Sequence, residues 1–192
     1  MKTAIALGVL CLLTADAIAA DDLRTLVTAA IAKEIAIFDD MEVRFEKDKL
    51  KPAEKQFLFD KKTVSKKQRK ERLAEVREQV LAGEVSFQIL NGTGRIGDCG
   101  CLLKSRIRVR QIVGADAFLG GWWEDFVAFP PWLFRGVPGS DKLIDNDEII
   151  ITRPMLITGR HSYSTVAAGT KTTLVVEPLS VCVQKLKNEK KK

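Results

Sequence analysis

Three arginines alternate with other residues along a run that is typical of a β-strand. Arg106, Arg108 and Arg110 are separated by Ile107 and Val109. In a strand, the three guanidinium groups would stand on one face and the apolar residues on the other. A row of guanidinium groups binds phosphates or carboxylates through paired hydrogen bonds. The same pattern is typical of the solvated face of a half-buried strand, so both interpretations stay open.

Aromatic residues are dense in the stretch that follows this row, from Phe118 to Phe134. Such a group forms either part of the core or a platform on which bases and sugars stack. Consecutive strand residues point to opposite faces, so we expect Trp122 or Trp123 to reach the surface. The candidate binding residues are therefore Arg106, Arg108, Arg110, Trp122 and Trp123.

The sequence predicts no catalytic or metal site and no cofactor. His161 is the only histidine, and the residues around it do not form a nucleophile elbow. Cys99 and Cys101 lack the second ligand pair of a structural zinc site. The acidic stretch 141–148 does not fit the spacing of a twelve-residue calcium loop and is better explained as a turn. An enzyme that uses His161 or the two thiols remains only as a further alternative.

Three cysteines follow the first twenty residues, namely Cys99, Cys101 and Cys182. A disulfide between Cys99 and Cys101 is disfavoured because the geometry of the bridge is demanding. Two alternatives remain. Either Cys182 forms a disulfide with Cys99 or Cys101, or the cysteines are free buried thiols.

The first twenty residues have the features of a secretory signal peptide. Lys2 precedes an apolar run from Ala4 to Leu13, and Ala17 and Ala19 fit a cleavage site. This run is shorter than the roughly 20 residues that a membrane-spanning helix needs. We therefore expect an exported protein, periplasmic or extracellular, without stable membrane insertion of the mature chain.

Residues 21–83 are predicted to form a helical segment. Apolar residues recur every three or four positions from 21 to about 45, which indicates a helix with one apolar stripe. This stripe needs a partner, which is either a second helix, the sheet or the same helix of another copy. A linker or short helix follows Pro52, and Ser65 with Gln68 forms a capping box that starts a helix ending at Gly83.

Residues 84–181 contain short strand-like runs separated by turn signals such as Asn91-Gly92 and Gly120-Gly121. The expected strands are 85–90, 96–103, 106–113, 125–129, 148–151, 156–164 and 172–176. Short strands joined by tight turns are typical of a small antiparallel β-barrel of the SH3-like or OB-like kind. The fold class is therefore α+β, with a helical segment followed by a barrel, and residues 182–192 form a basic tail.

The order of turn glycines and apolar residues in this half resembles a small β-rich C-terminal module of uncharacterised exported bacterial proteins. The resemblance rests on Gly97 and Gly100, on Trp132 to Val137, on Ile157 to Thr165 and on Gly169 to Leu179. It implies a fold and no known activity.

These observations favour an exported, non-catalytic structural or binding protein. Its partner would be a protein or an acidic polymer, in keeping with the net charge of +6. A homodimer through residues 21–45 is a possible assembly. The alternative is a polyanion- or nucleic-acid-binding module that uses the arginine row and the tryptophans.

Overall fold

A computed structural model describes residues 20–59, 65–90, 94–102, 106–122, 131–165 and 169–190. These residues contain four α-helices: α1 Ala20–Glu46, α2 Pro52–Phe59, α3 Lys66–Leu81 and α4 Leu179–Glu189. They also contain eight strands: β1 Ile89–Leu90, β2 Cys99–Leu102, β3 Arg106–Gly114, β4 Ala117–Trp122, β5 Trp132–Arg135, β6 Glu148–Ile150, β7 Met155–Thr165 and β8 Gly169–Pro178. None of the helices in this part of the chain combines the length and apolar character needed to cross a membrane.

The first three helices lie where the sequence predicts them. The α1 helix differs from the predicted range by one residue at each end, and α2 begins at Pro52. The capping box of α3 is formed, because Oγ of Ser65 accepts a hydrogen bond from the backbone N–H of Gln68 at 3.3 Å. In return, Oε1 of Gln68 accepts one from the backbone N–H of Ser65 at 2.9 Å.

Gly83 ends α3 and also allows α4 to approach. Its φ angle is +71°, and the N–H groups of Gly83 and Glu84 bond back to the carbonyls of Val80 and Gln79, which is a Schellman motif. A β-carbon at Gly83 would lie 2.8 Å from Cγ of Leu179. Only glycine meets both requirements, and the end of α3 therefore lies against the start of α4.

The eight strands form one mixed sheet in the order β1-β2-β7-β8-β5-β4-β3-β6. The pairs β1–β2 and β5–β8 are parallel, and the other neighbours are antiparallel. Within the described residues the sheet has two edges, β1 and β6, and does not close. The prediction of a small antiparallel barrel of the SH3-like or OB-like kind is therefore wrong, whereas the combination of helices and a sheet is confirmed.

The barrel prediction failed because residue alternation specifies the faces of a strand and not its neighbours. The chain runs through β3, β4 and β5 as antiparallel neighbours, but β5 then pairs with the distant β8. The edge strands β1 and β6 have two and three residues, and each has one neighbour in the sheet. The predicted strand 125–129 and the neighbouring Trp123 lie outside the described residues.

The predicted basic tail, residues 182–192, is a helix over most of its length. The α4 helix starts at Leu179 directly after β8 and continues to Glu189. Leu179, Cys182, Val183 and Leu186 are buried, and their spacing of three or four residues matches a helical face. Lys185, Lys187 and Lys190 lie on the exposed side of this segment.

The α1 helix packs against both halves of the molecule, so its apolar stripe has partners within the chain. Its first half supplies Val27 and Ala30 to a cluster with the sheet and α4. Its second half supplies Phe38 and Met41 to a cluster with α2 and α3. A separate large cluster crosses the other face of the sheet and includes Phe118, Trp132 and Phe134. The domain boundary near residue 84 remains a prediction.

Glu34 lies between the two clusters of α1 and joins the helix to the sheet. Its side chain is fully buried. One carboxylate oxygen accepts hydrogen bonds from Oγ of Ser86 at 2.6 Å and from Nε2 of Gln88 at 2.8 Å. The other accepts one from the backbone N–H of Phe87 at 2.8 Å. Glu34 thereby fixes the segment that leads into β1.

We predict that Glu34→Ala destabilises the protein by about 3 kcal/mol, because one buried and two partly buried donors lose a charged acceptor. Denaturant-induced unfolding followed by circular dichroism measures this change. The control is Glu46→Ala at the exposed end of α1, which should change the free energy of unfolding by less than about 0.5 kcal/mol. Equal effects of the two substitutions would contradict the role assigned to Glu34.

Candidate functional site

The structure places the first two arginines of the row on one face of β3. Ile107 pairs with Trp122 and is buried, whereas Arg108 pairs with Gly121. Arg106 lies 3.4 Å from the carboxylate of Glu148. The charge of Arg106 is therefore partly compensated within the chain.

The rest of the row is held by its surroundings. Nη2 of Arg108 donates to Oδ1 of Asn146 at 3.3 Å. Arg110 occupies a β-bulge between Val109 and Gln111, and its guanidinium group lies over Gly121, where a β-carbon would be 3.8 Å from Nη2. Burial lowers the pKa of Arg110, and the nearby Tyr163 opposes this shift. The binding role of these arginines remains a prediction.

Trp122 belongs to the core and does not share a face with Arg106 and Arg108. Its ring packs edge-on against Trp132, with ring centroids 5.0 Å apart, and its side chain is in the large cluster with Ile107. Because the arginines flank Ile107 in the strand, they point to the opposite face. The structure therefore does not bring Trp122 and the arginines together in one surface, and Trp123 is outside the described part of the chain.

His161 is buried within β7, opposite Thr173 of β8. The hydroxyl of Thr173 donates a hydrogen bond to the backbone carbonyl of Pro131. Within the acidic stretch 141–148 the chain turns at Asp145 and Asn146, after a short 3₁₀ helix over Ser140–Lys142 and before β6. In this turn Asp145 and Asp147 accept hydrogen bonds from the backbone N–H groups of Ile112 and Ile144.

The three described cysteines are free thiols in the structure. Cys99 and Cys182 are buried in the same cluster beneath α1, and Cys101 is half-buried. Burial raises the pKa of each of the three thiols, and for Cys182 the pKa rises to about 12, with Glu177 adding to the shift. The thiolate is the nucleophilic form, so these groups are poor nucleophiles at neutral pH. The predicted disulfide from Cys182 remains a prediction.

We predict that part of the alkaline loss of stability comes from Cys182. Its pKa rises from 9.0 to about 12 on folding, so above pH 9 the unfolded chain binds fewer protons than the folded chain. The contribution of the Cys182 thiol to the free energy of unfolding is therefore fully present below pH 9. It is lost as the pH rises toward 12, by about 1 kcal/mol per pH unit for one thiol. Cys182→Ala should flatten this decline in pH-dependent unfolding measurements. Val183→Ala, which removes volume beside it without removing an ionisable group, should leave the slope intact.

A groove lies between α1 and α4, beside the end of α3. We call it the α1–α4 groove, and its volume is about 450 Å³. Its walls are mainly apolar and include Val27, Ile31, Ile35, Leu81, Val183 and Leu186. Leu81 is 43% exposed, so an apolar side chain is open to solvent at the wall.

The α1–α4 groove also carries a cluster of positive charge. Arg24, Lys187 and Lys190 line it, and none of its described lining residues is acidic. The neighbouring Lys185 is different, because it forms an ion pair with the buried carboxylate of Glu177. The groove therefore combines an apolar wall with three cations that have no anion among the lining residues.

The order of the helices places this charge at one end of the groove. Arg77 of α3 donates to Asp39 of α1 at 2.8 Å. Leu81, one turn after Arg77, and Ile35, one turn before Asp39, both line the groove. The contact between Gly83 and Leu179 then places the start of α4 at this apolar end. The last turn of α4, with its two lysines, consequently lies toward Arg24.

The sequence analysis did not identify the α1–α4 groove. The helical spacing of Leu179, Cys182, Val183 and Leu186 was the available signal, but Leu179 was assigned to the barrel domain and the other three to the basic tail. Arg24 carries no distinguishing signal, because a single arginine in the first turns of a surface helix is common. Its significance depends on the packing of α4 against α1.

Comparison of the chain with protein-family models, with curated proteins and with solved structures finds no match in any of the three. The similarity to a β-rich module of exported proteins therefore remains a resemblance in sequence pattern.

Proposed function

We propose that this protein is an exported, non-catalytic binding protein and that it binds its partner in the α1–α4 groove. The observation that carries the proposal is the combination, within one groove, of an apolar wall with Arg24, Lys187 and Lys190. An apolar wall favours a partner that removes it from water, at about 25 cal/mol for each Å² buried. The three cations favour a partner that also carries negative charge.

Several features support binding over catalysis. The thiols have raised pKa values, and His161 is buried away from the groove, within the sheet. The groove lining contains no histidine, cysteine or carboxylate among its described residues, so lysine is the only type of general acid or base among them. Export is supported by the sequence of the first twenty residues.

The walls of the groove are firmly held, which favours a preformed site. Val27 and Leu186 belong to the same buried cluster as Cys99 and Leu156 of the sheet. The hydrogen bonds of Glu34 hold α1 against the segment before β1. A preformed groove saves its partner the entropy cost of ordering a flexible site.

We predict that the folded protein binds the apolar anion 8-anilinonaphthalene-1-sulfonate saturably and that Ala32→Trp abolishes most of this binding. Ala32 is exposed and lines the groove, so an indole there would occupy the space without disturbing the core. Fluorescence titration measures the binding. The matched control is Ala36→Trp, one turn further along α1, where the alanine is also exposed but does not line the groove.

Circular dichroism and cooperative unfolding must be the same for both variants, since partly folded proteins also bind this dye. Binding that is equal in wild type, Ala32→Trp and Ala36→Trp would contradict the proposal, as would the absence of dye binding to the folded protein.

A further inference from the structure

We infer that the occupant of the α1–α4 groove is a single-chain amphiphile with an acidic head, that is, a carboxylate on an unbranched hydrocarbon chain. This inference rests on the proposed function and specifies the class of ligand. It follows from the lining of the groove, which combines apolar residues with three cations, and from the order of the helices, which places the two lysines toward Arg24.

The head of the ligand would lie at Arg24, Lys187 and Lys190. A carboxylate accepts charge-assisted hydrogen bonds from guanidinium and ammonium groups, and three cations can surround it from two helices. The two lysines lie at the end of α4, where the partial negative charge of the helix C-terminus holds cations in place.

The hydrocarbon chain would run from the cations toward Ile35 and Leu81. Eleven residues separate Arg24 from Ile35 on α1, which corresponds to about 16 Å at 1.5 Å per residue. The apolar side chains of Val27, Ile31 and Val183 line this path. A linear apolar chain matches a wall of this length better than a compact ligand does.

The size of the groove favours a small molecule over a protein helix. Its volume of about 450 Å³ lies in the range of about 300 to 1,000 Å³ that is usual for small-molecule sites. A helix about 10 Å across and about 16 Å long would occupy about 1,250 Å³, which exceeds the whole empty space in the groove, about 960 Å³. A helix could therefore only lie over the groove, with its apolar floor incompletely filled.

The charge of the groove argues against a second copy of the chain as its occupant. A groove-to-groove dimer would bring together Arg24, Lys187 and Lys190 from each copy, with no acid among the described lining residues to compensate them. Burial of cations without partners is costly. An acidic amphiphile instead supplies the anion and the apolar surface together.

The test compares decanoate with 1-decanol, which has the same chain length and no charge. Displacement of the bound dye measures both affinities at about 0.15 M ionic strength, where the Debye length is about 8 Å. We expect decanoate to bind wild-type protein more tightly than 1-decanol.

The double variant Arg24→Glu/Lys187→Glu should weaken decanoate binding about tenfold or more, since two attractive charges become repulsive. It should change 1-decanol binding by less than about twofold, because the apolar wall is intact.

The matched control is Lys66→Glu/Lys70→Glu, which makes the same change in net charge on the exposed face of α3. This control should leave the decanoate affinity within about twofold of wild type, because exposed charges beyond a Debye length are screened. An equal loss in both double variants would attribute the effect to net charge and overturn the inference.

The outcomes separate this inference from the proposed function. If the dye binds in the groove but neither decanoate nor 1-decanol displaces it, the ligand class is wrong and the groove still binds. If the dye does not bind, the proposed function itself is wrong. The protein could instead sediment with vesicles of equal parts phosphatidylglycerol and phosphatidylcholine and fail to bind decanoate. In that case the three cations would bind a membrane surface. A dimer that Ala32→Trp dissociates would assign the groove to a second copy. Either result overturns the inference.

Discussion

The carboxylate of Glu34 has no contact with solvent, and its two oxygens accept hydrogen bonds from Ser86, Phe87 and Gln88. An acidic residue in this position must be fully hydrogen-bonded, because a buried charge without partners is strongly unfavourable. The position of α1 on the sheet is therefore fixed at this point. Val27 and Ala30, on the turns before Glu34, pack on the sheet and α4, and Ile35 after it faces the groove. The helical layer, the sheet and the groove wall all depend on this contact.

The local features of the sequence were sufficient to predict α1 and α3 and the ends of α3, whereas the stretch that forms α2 was left open as a linker or a short helix. Helix caps are short-range interactions, and Ser65, Gln68 and Gly83 act within a few residues of themselves. The sheet was less predictable. Gly120 and Gly121 were assigned to a turn, but both lie within β4. A β-carbon at Gly120 would lie 2.8 Å from Cγ2 of Ile107, so this glycine serves close packing between strands. The partners of a strand depend on distant segments, and no local pattern reports the parallel pairing of β5 with β8.

The candidate site shows the same limit. The alternation of Arg106, Ile107 and Arg108 correctly separates a buried from a more exposed face. It does not show that Glu148 and Asn146 lie beside these arginines, or that Trp122 packs inward against Trp132. The α1–α4 groove was missed for a related reason, because its cations come from opposite parts of the chain. In addition, residues 182–192 were interpreted from their lysines alone, although their apolar residues have helical spacing and are buried in the core.

The direct connection between β8 and α4 has a mechanical consequence. Pro178 is the last residue of β8, where it pairs with Met155, and Leu179 is the first residue of α4. The N–H of Leu179 donates to the carbonyl of Pro154 at 2.9 Å, so no loop lies between strand and helix to absorb a displacement. A slip of β8 by one residue would turn the side chains of α4 by about 100° around the helix axis. Val183 and Leu186 would then leave the core, and Lys187 would leave the groove. The register of β8 against β7 therefore determines which side chains of α4 face the core and which face the groove.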